Sequence, residues 1–134
     1  METKISPFKF NGYLVKHSEI NLSENIPDGE ELRIDIEPSG VKRGKDFTLT
    51  LCIHLYDNGG LIDVKAEVLG YFTLKNEEAN VPDFLTRNAP AILFPYVRAY
   101  VSLLTSLSGK GTINLPTLNL SGLEGELRKN MRTE

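Results

Sequence analysis

The chain has 134 residues, of which 40% are hydrophobic and 25% charged, with a net charge of −3. One domain over residues 1–134 is expected, and a chain of this size buries roughly 65–70% of its unfolded surface without needing a disulfide or a metal to fold. The balance of 15 basic against 18 acidic residues argues against nucleic acid as a partner, because phosphate binding wants a basic surface.

Cys52 is the single cysteine, which excludes an internal disulfide and a Cys-rich zinc site. The N-terminal residues 1–7 lack the apolar core of a signal peptide. No apolar run approaches the ~20 residues of a membrane span. The expectation is a cytoplasmic protein that does not insert into a membrane and needs neither cofactor nor metal.

The first two-thirds of the chain reads as strand. Phe8, Phe10 and Leu14 open an extended stretch that runs to Ile20 and Leu22. Asn25-Ile26-Pro27-Asp28-Gly29 is a loop. Leu32, Ile34 and Ile36 alternate with Arg33, Asp35 and Glu37, the pattern of a half-buried strand, and Pro38-Ser39-Gly40 is expected to end it. Phe47, Leu49, Leu51, Ile53 and Leu55 alternate with polar neighbours. Asp57-Asn58-Gly59-Gly60 then signals a hairpin, since Asn-Gly tolerates positive φ at the turn centre. Ile62, Val64, Ala66 and Val68 alternate in turn. Four antiparallel strands follow, each with one apolar face that needs a cover.

The last third supplies the cover. Residues 88–107 read as a helix, with Leu93, Val97, Tyr100, Leu104 and Leu107 along one face. Ile92, Tyr96, Ala99 and Leu103 form a second apolar stripe, and Phe94 and Val101 add a third. A helix apolar nearly all round is buried on more than one side, and one sheet covers one side only. The other side is expected to meet another subunit. Pro95 is expected to kink the helix or to begin its regular part. Ser108-Gly109-Lys110-Gly111 stops it. Residues 112–120 are irregular, with Ile113, Leu115, Leu118 and Leu120 spaced around Pro116. Residues 121–134 read as a short helix with Leu123, Leu127 and Met131 at four-residue steps.

Few residues suggest chemistry. Cys52 and His54 share a strand face, with His17 as a third candidate, but side chains at i and i+2 sit ~6–7 Å apart, too far for a direct nucleophile–base bond. Gly109-Lys110-Gly111-Thr112 follows a helix rather than a strand and lacks the earlier glycine of a phosphate loop, since position 104 is Leu. Glu30, Glu31, Asp35, Glu37, Glu77 and Glu78 read as solvated carboxylates, and Lys42-Arg43-Gly44-Lys45 as a turn too short for a nucleic-acid footprint. No triad or metal-ligand spacing supports an enzyme. A groove lined by the C-terminal leucines could instead take extended peptide.

Asn88-Ala89-Pro90-Ala91-Ile92-Leu93-Phe94-Pro95-Tyr96-Val97-Arg98 resembles the helix signature of the SecB family of protein-export chaperones. Gly111-Thr112 and Leu115-Pro116-Thr117-Leu118-Asn119-Leu120 are similar to that family's loop after the helix. Phe8-x-Phe10, Val15-Lys16 and Ile20 match its first strand, and Gly70-Tyr71-Phe72 the end of its fourth. The resemblance implies an α+β fold, a four-stranded antiparallel sheet followed by a long helix and a short C-terminal helix. It implies an ATP-independent holdase for unfolded polypeptides or preproteins, assembled as a homotetramer from two pairs. Carried over by position, the client groove falls on Leu32, Ile34, Ile36, Leu115, Leu118, Leu120, Leu123 and Leu127. The subunit interface falls on Ala66, Val68, Phe94, Val97, Tyr100, Val101 and Leu104. Export members pass clients to the SecA motor through an acidic surface. The matching strand positions here are His17 and Lys65, and the C-terminal tail is basic, so that beside a holdase for protein export a specialised relative, such as the chaperone of a toxin–antitoxin system, stands as the alternative. Two other classes stay open: a small-ligand-binding domain using the Cys52 face, and a purely structural subunit.

Overall fold

The computed structural model describes Thr3 and residues 5–134; Met1, Glu2 and Lys4, part of the N-terminal stretch read above, lie outside the described residues. The elements are β1 Phe8–Leu22, β2 Arg33–Arg43, β3 Asp46–Tyr56, β4 Ile62–Leu74, α1 Asp83–Ser106, α2 Leu123–Lys129 and β5 Met131–Thr133. They form one five-stranded sheet in the order β1-β4-β3-β2-β5. The first four strands pair antiparallel. Both helices pack on one face of the sheet, α2 over β2 and α1 over β1, β4 and β3.

Strand alternation sorts the side chains. Phe47, Leu49, Leu51, Ile53 and Leu55 of β3 all point under the helices and are at most 2% exposed. Ile62, Val64, Ala66, Val68, Phe72 and Leu74 of β4 point the same way and are buried as well. Two glycines let the layers close. A Cβ on Gly70 would sit 3.1 Å from a Leu93 methyl of α1, and one on Gly40 would sit 2.5 Å from the Phe47 ring. The β3–β4 hairpin is fastened by Asp57, whose Oδ1 accepts the backbone N–H groups of Leu61 at 2.8 Å and Ile62 at 3.0 Å. Gly60 takes the positive φ of that turn.

Two irregularities reset β1. Register shifts lie between Phe10 and Gly12 and between Val15 and His17. They turn Tyr13 to the helix side, where it stacks on Tyr96 with ring centroids 4.6 Å apart. Leu14 consequently lies opposite Leu69, on the uncovered face.

Three expectations need correction. β2 runs through Pro38-Ser39-Gly40 to Arg43 and keeps its register with β3 throughout. Proline is tolerated because the missing N–H lies on the side away from β3, where the Pro38 carbonyl accepts a hydrogen bond from Asn130 Nδ2 at 3.0 Å. The C-terminal helix stops at Lys129, and Met131 begins β5, which pairs parallel with β2 at Gly40. Met131 is therefore no third rung of the Leu123–Leu127 stripe, and the sheet is mixed, with one strand more than the four expected. Helix α1 starts five residues earlier than the pattern suggested, at Asp83, and continues through both Pro90 and Pro95. Among the described residues no helix is long and apolar enough to cross a membrane.

Candidate functional site

The segment after α1 is tied to the helix at its two ends and spans the middle. At the first end the buried Thr105 hydroxyl donates to the Val101 carbonyl at 2.9 Å and accepts the backbone N–H of Ile113 at 2.8 Å. Ser102 Oγ lies 3.2 Å from Asn114 Oδ1. Lys110 Nζ donates to the Ile26 carbonyl, 3.1 Å away, from the opposite side. At the second end α2 is bound to the start of α1 by charge. Arg128 pairs with Asp83 and hydrogen-bonds Thr86 Oγ1 at 3.0 Å, and Arg87 lies 3.7 Å from Glu124.

Between these ties a cavity of about 340 Å³ opens between α1 and residues 118–121. Its floor is Ala91, Phe94 and Pro95, its wall Leu118 and Leu120, and Arg87 and Arg98 stand at its two ends. The Arg98 guanidinium lies 5.2 Å over the Phe94 ring. Its Nη2 donates to the Pro116 carbonyl at 3.4 Å, while its Nε is buried with no acceptor.

The eight expected groove positions divide. Leu118 and Leu120 line the cavity. Leu32, Ile34 and Ile36 are half-buried along the outer part of β2, on the helix side, and do not line it. Leu123 is also half-buried. Leu115 and Leu127 are 5% and 0% exposed and belong to the chain's own core, Leu127 reaching over Gly40. They are not free to receive a client in this conformation. Arg87 and Arg98 were missed as groove residues. Their spacing of eleven along one helix flank was the available signal.

The seven expected interface positions divide in the same way. Ala66, Val68, Val97 and Val101 are buried inside the chain, between sheet and helix, and Phe94 is covered by Arg98 at the floor of the cavity, so none of the five lies on the open surface. Tyr100 is half-buried, with its hydroxyl 2.7 Å from Ser18 Oγ, and Leu104 is half-buried. The apolar surface left open on α1 is the second stripe instead, with Tyr96, Leu103 and Leu107 exposed and Tyr13 of β1 beside Tyr96.

The uncovered sheet face carries the remaining titratable groups. Across it Glu37, Cys52, Glu67 and His17 stand in one row, and Asp35, His54, Lys65 and Glu19 in the next. An open hollow of about 470 Å³ lies over both rows. Partial burial raises the Cys52 thiol above its ordinary pKa, and the Glu67 and Glu37 carboxylates raise it further. The thiol thus stays protonated at neutral pH, the wrong state for a nucleophile. His54 pairs with Asp63 and His17 with Glu19, the latter at 3.0 Å, so neither imidazole is directed at the sulfur. Among the described residues no group of His, Cys, Asp and Glu is arranged to hold a metal.

No protein-family profile matches the chain. An uncharacterised protein of Methanocaldococcus jannaschii is 28% identical over 131 aligned residues, covering 90% of this chain and 84% of its own. The SecB-like chaperone Rv1957 of Mycobacterium tuberculosis, solved in complex with a ChAD peptide from the Rv1956 HigA1 antitoxin, superposes with a TM-score of 0.71 at 15% identity. That match covers 84% of this chain and 91% of that one. A protein of unknown function from Streptococcus agalactiae superposes at 0.50 with 10% identity, over 82% of this chain and 97% of its own. The chain is SecB-like in its fold, as the Leu93-Phe94-Pro95-Tyr96 resemblance implied.

Proposed function

We propose that the chain is the subunit of an ATP-independent chaperone that holds unfolded or extended polypeptide. The observation that carries this reading is the apolar cavity kept open between α1 and the loop, with Leu118 and Leu120 facing Phe94 and Pro95. Half-buried Leu32, Ile34, Ile36 and Leu123 extend the apolar surface available to a client. At ~25 cal/mol per Å² of apolar area removed from water, a few client side chains contribute several kcal/mol before ordering costs, and no bond need be broken to release them.

The exposed stripe of Tyr96, Leu103 and Leu107, continued by Tyr13, is the surface on which subunits would join, a homotetramer being the assembly this reading favours. The site belongs to a cytoplasmic, non-enzymatic protein in this reading. A dedicated client is favoured over general export to the SecA motor on two counts. The structural relative binds an antitoxin peptide. On the uncovered sheet face, Lys65 and His17 interrupt the acidic groups that an acidic docking surface would need.

The test is suppression of aggregation. A denatured, slow-folding client is diluted into nucleotide-free buffer with the purified protein and followed by light scattering, with the products sized by inline mass detection. The wild type should suppress scattering and carry client. Ile34→Asp with Leu118→Asp should lose suppression and keep the assembly mass. Failure of the wild type to suppress aggregation of any client, including antitoxin-like apolar peptides, overturns the chaperone reading. Dissociation of the assembly by that pair overturns the groove assignment.

A further inference from the structure

Arg98 is a strong donor without an adequate acceptor. A guanidinium carries five N–H groups, and Arg98 commits one, to the Pro116 carbonyl at 3.4 Å, the long end of hydrogen-bond range. The Nε is buried with no partner, and the Phe94 face below supplies attraction for a cation but no acceptor. No carboxylate is among the residues that line the cavity, whereas Arg87 lines its other end and is held only loosely by Glu124 at 3.7 Å. Between the two arginines the lining is mostly apolar, Ala91, Phe94, Pro95, Leu118 and Leu120, with Asn119 and Ser121 its uncharged polar members. Arg43, Arg128 and Arg132 each pair with a carboxylate, with Glu134, Asp83 and Glu134 in turn. Arg98, set in the cavity wall, pairs with none among the described residues.

We propose that this cavity selects client segments in which an acidic side chain, Asp or Glu, lies within an apolar run, and that Arg98 is the specificity-determining residue. This rests on the chaperone reading above. Eleven helical residues separate Arg87 from Arg98, ~16 Å at 1.5 Å per residue, which matches about five residues of extended chain. The client's apolar side chains would lie against Phe94, Pro95, Leu118 and Leu120, and its carboxylate would take the idle N–H groups of Arg98. A carboxylate is the acceptor a planar guanidinium fits best, with two parallel bonds.

The test uses short fluorescent peptides of Leu, Ile and Ser, capped at both ends, that carry Glu, Gln or Lys at the centre. Binding to the full chain is measured by anisotropy. The Glu peptide should bind about fivefold more tightly than the Gln peptide, the size expected for one partly exposed charge pair. That preference should shrink at high salt. Arg98→Gln should abolish the preference, bringing the Glu and Gln peptides to the same affinity, and Arg98→Glu should shift the preference to the Lys peptide. If Arg98 serves only to hold the loop through Pro116, Arg98→Gln weakens both peptides equally, and the proposal fails. Equal, salt-insensitive binding of the Glu and Gln peptides to the wild type also overturns it, whether or not the variants fold, and leaves the chaperone reading standing. Absence of binding for all three peptides overturns both.

Discussion

Leu93, Val97 and Val101 on the inner stripe of α1 are closed off from solvent, while Tyr96, Leu103 and Leu107 on its outer stripe stand exposed. The residue types are alike. The difference is what lies opposite. The inner stripe meets a sheet face thinned by Gly70 to receive Leu93, whereas the outer stripe meets only the aromatic rim of β1, Phe10 and Tyr13. Equal hydrophobicity thus has two outcomes, burial on one side and exposure on the other. The loop with Leu118 and Leu120 lies between these extremes, half-buried over a cavity.

The sharpest way to break that contrast is to truncate one leucine from each stripe. Leu93→Ala should cost about 2–5 kcal/mol in urea unfolding, because the sheet beneath will not collapse into the vacated space. Leu103→Ala should change the stability of the folded chain by no more than ~0.5 kcal/mol in dilute solution, where any assembly has dissociated. Equal losses would mean that both stripes are core.

Thr105→Val should have an intermediate effect. It keeps the shape but removes the acceptor for the Ile113 N–H, and a loss of about 1–2 kcal/mol is expected. Because Thr105 fixes one end of the cavity, client affinity should fall along with stability. A loss of stability with client binding unchanged would show that the loop's position is set elsewhere.

The smallest effect lies at the turn between β3 and β4, is present at neutral pH and disappears in acid. The Ile62 backbone N–H, and after it that of Leu61, hold the Asp57 carboxyl below its ordinary pKa, although burial works the other way. A depressed folded-state pKa contributes stability that is fully present above the unfolded value of ~3.9 and is lost as pH falls through the folded one. Asp57→Asn should therefore be less stable than the wild type at pH 7, and the gap should close below about pH 4. A gap that persists in acid would mean that Asp57 acts through shape rather than charge.

Much of the fold was legible. The period-two alternation of β3 and β4, the hairpin between them and the apolar excess of α1 are local patterns that the structure keeps, although the positive φ of the turn falls on Gly60 rather than on Asn58 or Gly59. The site was legible only in part. Leu118 and Leu120 reach the cavity, but Leu115 and Leu127 have the same spacing and are spent in the core. Val97 and Val101 were equally plausible as interface and are covered by the chain's own sheet, and Phe94 lies under Arg98 on the cavity floor.

What the sequence by itself determined was the period of each element and hence which side chains share a face, because that follows from backbone geometry alone. The tertiary structure decided which face turned inward, since that depends on what another element presents to it. Gly70 admits Leu93, and Gly40 lies under Phe47 and Leu127. The same holds for β2 and β5. Pro38 looked like an end because proline lacks an N–H, and only the direction that N–H would have pointed, away from β3 and towards Asn130, allowed the strand to continue. Met131 looked helical until β2 offered it an unpaired edge. Period is encoded locally, but partners are chosen by packing and by the direction of hydrogen bonds between distant segments.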